Sequence, residues 1–206
     1  MEHQAQCLED LLRRAAAQEE KLSGLLFTEQ SIRDADLTGL DLERVRFVRC
    51  ALTGCRMEKG SFSECSFEQC ELTGCRFENG YFRNTSLSGC RADGADLRRC
   101  TLRESGIEGG SWRYVNFANT LWDSCTIRNA SMREVSFAES KLKNCTLKGV
   151  DLGRADFFKT PLKGIDLTEC NIEGILVGDR FSELRGAKVS AEQAVGLAAM
   201  LGVKIV

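Results

Sequence analysis

Eleven cysteines are the side chains in this 206-residue chain with the most chemistry to offer. A thiolate can ligate zinc, close a disulfide or attack an electrophile. Ten of them, Cys50, Cys55, Cys65, Cys70, Cys75, Cys90, Cys100, Cys125, Cys145 and Cys170, stand at multiples of five, and only Cys7 does not. Zinc knuckles use a Cys-x2-Cys turn that aims both thiols at one ion, and tandem Cys-x4-Cys spacing does not. Other chemistry has less to stand on. The single histidine is His3, and the sequence contains no phosphate-binding Gly-x-x-x-x-Gly-Lys loop, no His-Glu-x-x-His and no nucleophile elbow. The carboxylates Asp36, Asp96 and Asp156 recur, but so far apart that they do not form an acid/base pair. Catalytic, cofactor-binding and metal-binding residues are therefore not expected, and the chain reads as a non-enzyme without a cofactor.

What places the cysteines is a period of five. From Ile32 to Val177 every fifth residue is apolar or Ala, thirty centres without an insertion, including Leu37, Phe62, Trp112, Trp122, Phe157 and Leu167. A helix would repeat its apolar face near 3.6 residues and a flat strand at two, so something must reset the alternation. Two residues before each centre runs a second, mostly small series: Ala35, Cys50, Cys55, Cys65, Ala95, Thr120, Ala130, Cys145. Both positions point inward. The residue between them, as at Asp36, Ser66, Asp96 and Asn116, points outward, and the next two are polar or Gly and suit a corner. Each pentapeptide is one short side and one bend.

A longer self-similarity gives the number of sides. Cys50-Ala51-Leu52-Thr53-Gly54-Cys55 recurs twenty residues later as Cys70-Glu71-Leu72-Thr73-Gly74-Cys75, so four sides make a coil. Thirty centres then give seven and a half coils and a rod of roughly 36 Å at ~4.8 Å per coil. Cys50/Cys70, Cys70/Cys90, Cys55/Cys75 and Cys125/Cys145 stack one coil apart with side chains parallel, so a disulfide would need local distortion. The cysteines read as small buried hydrophobes, and the two tryptophans as core, with Ala92 and Met132 making room for Trp112.

Ala35-Asp36-Leu37, Ala95-Asp96-Leu97 and Ala155-Asp156-Phe157 match the Ala-(Asp/Asn)-Leu-x-x consensus of the pentapeptide repeat proteins, which the chain resembles over residues 31–177. The resemblance implies an all-β solenoid, a right-handed quadrilateral parallel β-helix. Coils that touch only their neighbours leave two ends to cover. Leu8, Leu11, Leu12 and Ala15 predict a capping helix from Gln4 to Lys21. Past Gly178-Asp179-Arg180 an irregular segment runs through Phe181, Leu184 and Val189. A second helix begins at Ser190, which forms a capping box with Gln193, stops near Gly202, and leaves a β-like tail from Val203 to Val206. The expected organisation is residues 1–26 as N-terminal cap, 27–180 as β-helix and 181–206 as C-terminal cap.

That last helix is apolar over more of its girth than a cap needs. Its Leu-Arg-Gly-Ala lead-in and Leu-Gly-Val-Lys-Ile tail look like the end of the quinolone-resistance branch of the family, which implies a homodimer through Val195, Leu197, Ala198, Leu201, Val203 and Ile205. That branch also implies a DNA mimic that binds DNA gyrase or topoisomerase and protects it from quinolones or toxins. A DNA mimic should be acidic, whereas 28 basic and 30 acidic residues give a net charge of −2, and the loops by which such relatives touch the enzyme have no counterpart in an uninterrupted series. One stripe is basic: Arg83, Arg103, Lys143 and Lys163 at twenty-residue steps, interrupted by Asp123, with Lys141 beside it and the outward Tyr81 and Leu121 near it. Outward apolar residues are otherwise sparse, Val48, Tyr114 and Phe158 among them. The face of Tyr81 and Leu121 is the expected partner-binding surface of a rod that acts through protein–protein interaction. Nucleic acid is not the expected partner. No 18-residue apolar run and no secretory signal are present, so a cytoplasmic protein without a membrane span is expected.

Overall fold

A computed structural model describes residues 7–204. The chain winds into a right-handed, four-sided parallel β-solenoid. On the first face seven three-residue strands stack in parallel: Lys21–Ser23, Asp41–Glu43, Ser61–Ser63, Tyr81–Arg83, Thr101–Arg103, Leu121–Asp123 and Lys141–Lys143. The second face stacks seven more, from Leu26–Thr28 to Thr146–Lys148. Each residue pairs with the one twenty ahead, as in Leu102↔Trp122 and Ile107↔Ile127. The third face has the strand pair Ser31–Arg33 and Ala51–Thr53 and continues as single bridges to Asn171. The fourth is built of bridges alone, Asp36↔Arg56 through Asp156↔Leu176.

The reset that the period of five demands is a left-handed residue at each corner. Positive φ recurs at Gly39, Arg44, Arg49, Gly54, Lys59 and on to Lys159 and Gly164 in the same five-residue phase. Gly and Asn supply many of these corners, including Asn79, Asn84, Asn119, Asn129 and Asn144, because they tolerate that region best. The stacking begins at Lys21, ahead of Ile32, and places Leu22 and Phe27 under Leu42 and Phe47.

Inside the coil the centres form columns of like on like. Phe47 stacks on Phe67 at 4.9 Å, Phe62 on Phe82 at 4.8 Å, and Phe117 on Phe137 and Phe137 on Phe157 at 5.1 and 5.4 Å. Burying each ring contributes about 1.5–3 kcal/mol. Trp112 lies between Ala92 and Met132, all three buried, and its indole N–H donates to the Gly109 carbonyl at 3.2 Å. The small inward positions are not inert spacers. The Cys70, Cys90 and Cys125 thiols donate to carbonyls one coil back, at Phe47, Phe67 and Leu102, over 3.3–3.4 Å. Thr85, Ser140 and Thr160 hydroxyls do the same towards Phe62, Phe117 and Phe137. A thiol and a hydroxyl are interchangeable there because both are small and carry one proton to donate.

The first helix, α1, spans Cys7–Gln18 and buries Leu8, Leu12 and Ala15 on the first coil. It stops before the predicted Lys21, because Glu19 turns left-handed at φ 52° and Lys21 enters the first strand; Gln4 to Gln6 lie outside the described residues. At the other end the coil does not stop at Val177. Residues 183–188 add a partial rung: the N–H groups of Leu162, Gly164 and Leu167 donate to the carbonyls of Glu183, Gly186 and Lys188 at 2.8, 2.8 and 2.9 Å.

Helix α2, Ala191–Met200, starts at the expected capping box, with Ser190 Oγ accepting from Gln193 N–H and Gln193 Oε1 from Ser190 N–H. Where the expected β-like tail begins, the chain makes a helix-terminating turn; Ile205 and Val206 of that tail lie outside the described residues. Gly202 N–H donates to Ala199 and Val203 N–H to Ala198, which satisfies the last helical carbonyls and bends the chain off the helix axis.

Candidate interaction surface

The solenoid consumes the chemistry-bearing residues in its interior. Ten cysteines are free thiols; nine are buried and Cys145 is half-buried. Burial pushes the Cys100 thiol up to about 12 and Cys145 up to about 11, so neither is a thiolate at neutral pH. No group of His, Cys, Asp and Glu able to hold a metal occurs among the described residues. Asp36 and Asp156 share the fourth-face column, with Arg56, Arg76, Asp96, Asn116 and Ser136 between them, and Asp36 is paired to Arg56 at 3.5 Å. No helix of the described residues is long and apolar enough to cross a membrane.

The first face is where sequence reasoning placed a partner. One outward column runs Tyr81, Thr101, Leu121, Lys141, and the next runs Arg83, Arg103, Asp123, Lys143. Leu162, buried at the following centre, carries Lys163 onto the same side, where its stem covers Gly186. The strand ladder itself ends at Lys141–Lys143 because Pro161 has no N–H to donate. Arg83 is paired to Glu64 at 3.7 Å and Lys143 to Asp123 at 3.4 Å. Asp123 is held below the usual carboxylate range by the Ser124 hydroxyl and then by Lys143. Arg103, Lys141 and Lys163 have no ion-pair partner among the described residues. Tyr81 and Leu121 are half-buried, flush with the face. Towards the N-terminus the same face carries Asp41, Glu43 and Glu64, with Lys21 and Arg44 against the first two and Arg83 against the third.

The C-terminal residues expected to form a dimer contact fall into two sets. Val195, Leu201 and Val203 expose 50%, 60% and 52% of their surfaces. Leu197 and Ala198 are half-buried, and Leu197 packs on the core. Between α2 and the last coil lies an open groove of about 790 Å³ lined by Thr168, Ile172, Glu173, Gln193, Leu197 and Met200. Gln193 fixes this geometry, its amide donating to the carbonyls of Leu167 and Cys170 at 2.8 and 2.7 Å.

Of the outward apolar residues, Tyr114 and Phe158 are exposed and Val48 half-buried, while Leu26 and Leu176, which sequence reasoning did not single out, are exposed as well. It also missed Glu183. This buried carboxylate accepts the Lys159 N–H at 2.9 Å, the bond that a further coil's carbonyl would otherwise take, as the Phe158 carbonyl takes it from Glu139 one coil earlier. The only signal was its position just past the break in period.

Family models for pentapeptide repeats match residues 31–69 and 136–174, and a model of a pentapeptide repeat region matches residues 60–137. No curated protein matches the chain. Among solved structures, two trypsin-treated variants of QnrB1, a plasmid-mediated fluoroquinolone resistance protein, are similar to it at 20% identity. One has a TM-score of 0.53 and covers 90% of this chain and 98% of its own; the other has a TM-score of 0.52 and covers 90% and 97%. At that identity the likeness is one of fold.

Proposed function

The chain belongs to the pentapeptide repeat family, and from that membership we propose that it is a non-catalytic, rod-like protein that acts by binding another protein on its outer surface. The observation that carries this is the sorting of its residues: most thiols and Phe and Trp rings, with the hydroxyls of Thr85, Thr120, Ser140 and Thr160, face inward and are hydrogen-bonded or stacked, so recognition falls to the outward columns. The first face supports it best, because Arg103, Lys141 and Lys163 project free charge beside the flush apolar surfaces of Tyr81 and Leu121. Partly apolar, partly cationic faces of this kind suit protein partners. The chain's many free thiols suit the reducing cytoplasm. The test is affinity capture with the wild type and with Arg103→Glu/Lys141→Glu/Lys163→Glu. A partner retained by the first and lost with the second supports the reading, and identical captured sets overturn it.

A second reading, a topoisomerase-directed rod that modulates quinolone or toxin sensitivity, draws on the likeness of fold to a fluoroquinolone resistance protein over 90% of the chain. Gyrase supercoiling titrated with the purified protein, with and without a quinolone, decides it. Neither inhibition nor protection at high micromolar concentration would remove it. The exposed apolar side chains of α2 support a homodimer through the C-terminal end in either case.

A further inference from the structure

The charge of the rod is divided along its length. Residues 1–80 carry ten basic and fifteen acidic side chains, and residues 81–165 carry fourteen basic and nine acidic. On the first face this division has a centre of symmetry in register. Around the strand Thr101–Arg103, Tyr81 and Arg83 lie one coil to one side, and Leu121 and Asp123 one coil to the other. Two coils out, Ser63 with Glu64 at its corner is balanced by Lys143; three coils out, Glu43 is balanced by Lys163.

A two-fold axis lying in this face, perpendicular to the rod and passing over Thr101–Arg103, reverses the order of coils but leaves each column on itself. It sets Tyr81 of one copy against Leu121 of the other, Arg83 against Asp123, Lys143 against the Ser63–Glu64 corner, and Lys163 against Glu43. Arg103, on the axis, has Glu104 beside it as the carboxylate for its opposite number. Shifting the axis by half a coil in one direction sets Arg83 against Arg103, and in the other sets Arg83 against Lys143, so the pattern selects one register. We infer that the first face binds a second copy of this chain, antiparallel, about that axis.

An unrelated acidic protein would match only the C-terminal half and would meet Asp41, Glu43 and Glu64 with like charge. The opposed pairs are isologous, each occurring twice, as a closed dimer requires. A contact confined to one side of so narrow a rod is small, so its affinity should be on the order of micromolar or weaker and salt-sensitive. The inference rests on the first face being an interaction surface and is independent of contact through α2.

Sedimentation velocity on the full-length chain tests it in a Leu201→Glu background, which disables the C-terminal contact. At low salt this variant should form a reversible dimer that weakens as salt is raised. Arg83→Asp and Asp123→Arg, added singly, each create two like-charge oppositions and should weaken the dimer roughly tenfold or more. Mixed in equal amounts the two variants should associate again. In the mixed pair the two substituted side chains face each other with opposite charge, and the unchanged Asp123 of one copy faces the unchanged Arg83 of the other. Matching thermal unfolding curves establish that the variants fold. A monomer at high micromolar concentration and low salt, or a mixture no tighter than its components, overturns the inference. Loss of captured partner in the charge-reversed variants without change in self-association would overturn only this inference, and loss of self-association with an unchanged captured set only the heterologous reading above.

Discussion

The indole N–H of Trp122 donates to the hydroxyl of Thr120 at 2.8 Å, and that hydroxyl donates onward to the Phe117 carbonyl at 2.6 Å. The largest side chain in the core is thus satisfied by the small residue two positions before it. Thr120→Val, nearly isosteric, leaves a buried donor unmatched and should cost about 1–3 kcal/mol. Thr120→Ser should cost less, since it keeps the hydroxyl. Urea unfolding of the two variants checks the order.

Trp112→Ala removes a buried indole between Ala92 and Met132, neither large enough to fill the space. The loss should be about 3 kcal/mol or more. Because no part of Trp112 reaches the surface, partner capture and self-association of the folded variant should match the wild type at a temperature well below its melting point.

Glu183 titrates as a cap. Burial alone would raise its pKa, but the backbone N–H groups of Glu183, Lys159 and Gly178 outweigh that and hold it below the ordinary glutamate value. A carboxyl depressed in the folded state contributes stability above the unfolded pKa, about 4.3, and loses it as pH falls through the folded one. Stability should therefore drop on the acid side of about pH 4. Glu183→Gln should flatten that limb and cost about 1 kcal/mol at neutral pH. Unfolding curves recorded from acid to neutral pH give both numbers.

The buried thiols should react with an alkylating reagent only as fast as the rod opens, since they are enclosed. Cys145, half-buried near the end of the second face, should be modified before Cys100 or Cys125. Peptide mapping after timed alkylation gives the order, and early modification of Cys100 would contradict it.

Val195, Leu201 and Val203 each leave an apolar side chain exposed at the C-terminal end of the rod. If it is a dimer contact, Leu201→Glu should convert a dimeric mass in light scattering to that of one chain at physiological salt. An unchanged mass would assign these residues another role.

The interior of this fold was legible because it is overdetermined. A corner at every fifth residue fixes which two side chains point inward, and Phe62, Trp112 and Cys125 were placed by counting. The ends were less so. Lys21–Ser23 and Leu26–Thr28 open the first coil with Gly24 and Glu29 at their corners and Leu25 inward, in a stretch flanking the cap where the period could equally be read as helix or linker. Glu183 and Gln193 act through single hydrogen bonds to carbonyls and amides that only the last coil leaves unpaired, and no local pattern marks them. Outward residues resist reading for the opposite reason. Any polar side chain satisfies the position of Arg103, so its meaning emerges only from the companions that the twenty-residue step brings into its column.

Two moduli govern what this chain tolerates in its length. Removal of five residues would preserve every corner and every buried centre, yet rotate all that follows by a quarter turn, carrying Lys141 and Lys143 onto a neighbouring side of the rod. Removal of twenty would shorten the rod by one coil and keep each column intact. Folding therefore accepts length changes in fives, while a surface assembled from stacked columns accepts them only in twenties. Among homologues of different length, those that differ by whole coils would be the ones to share a partner.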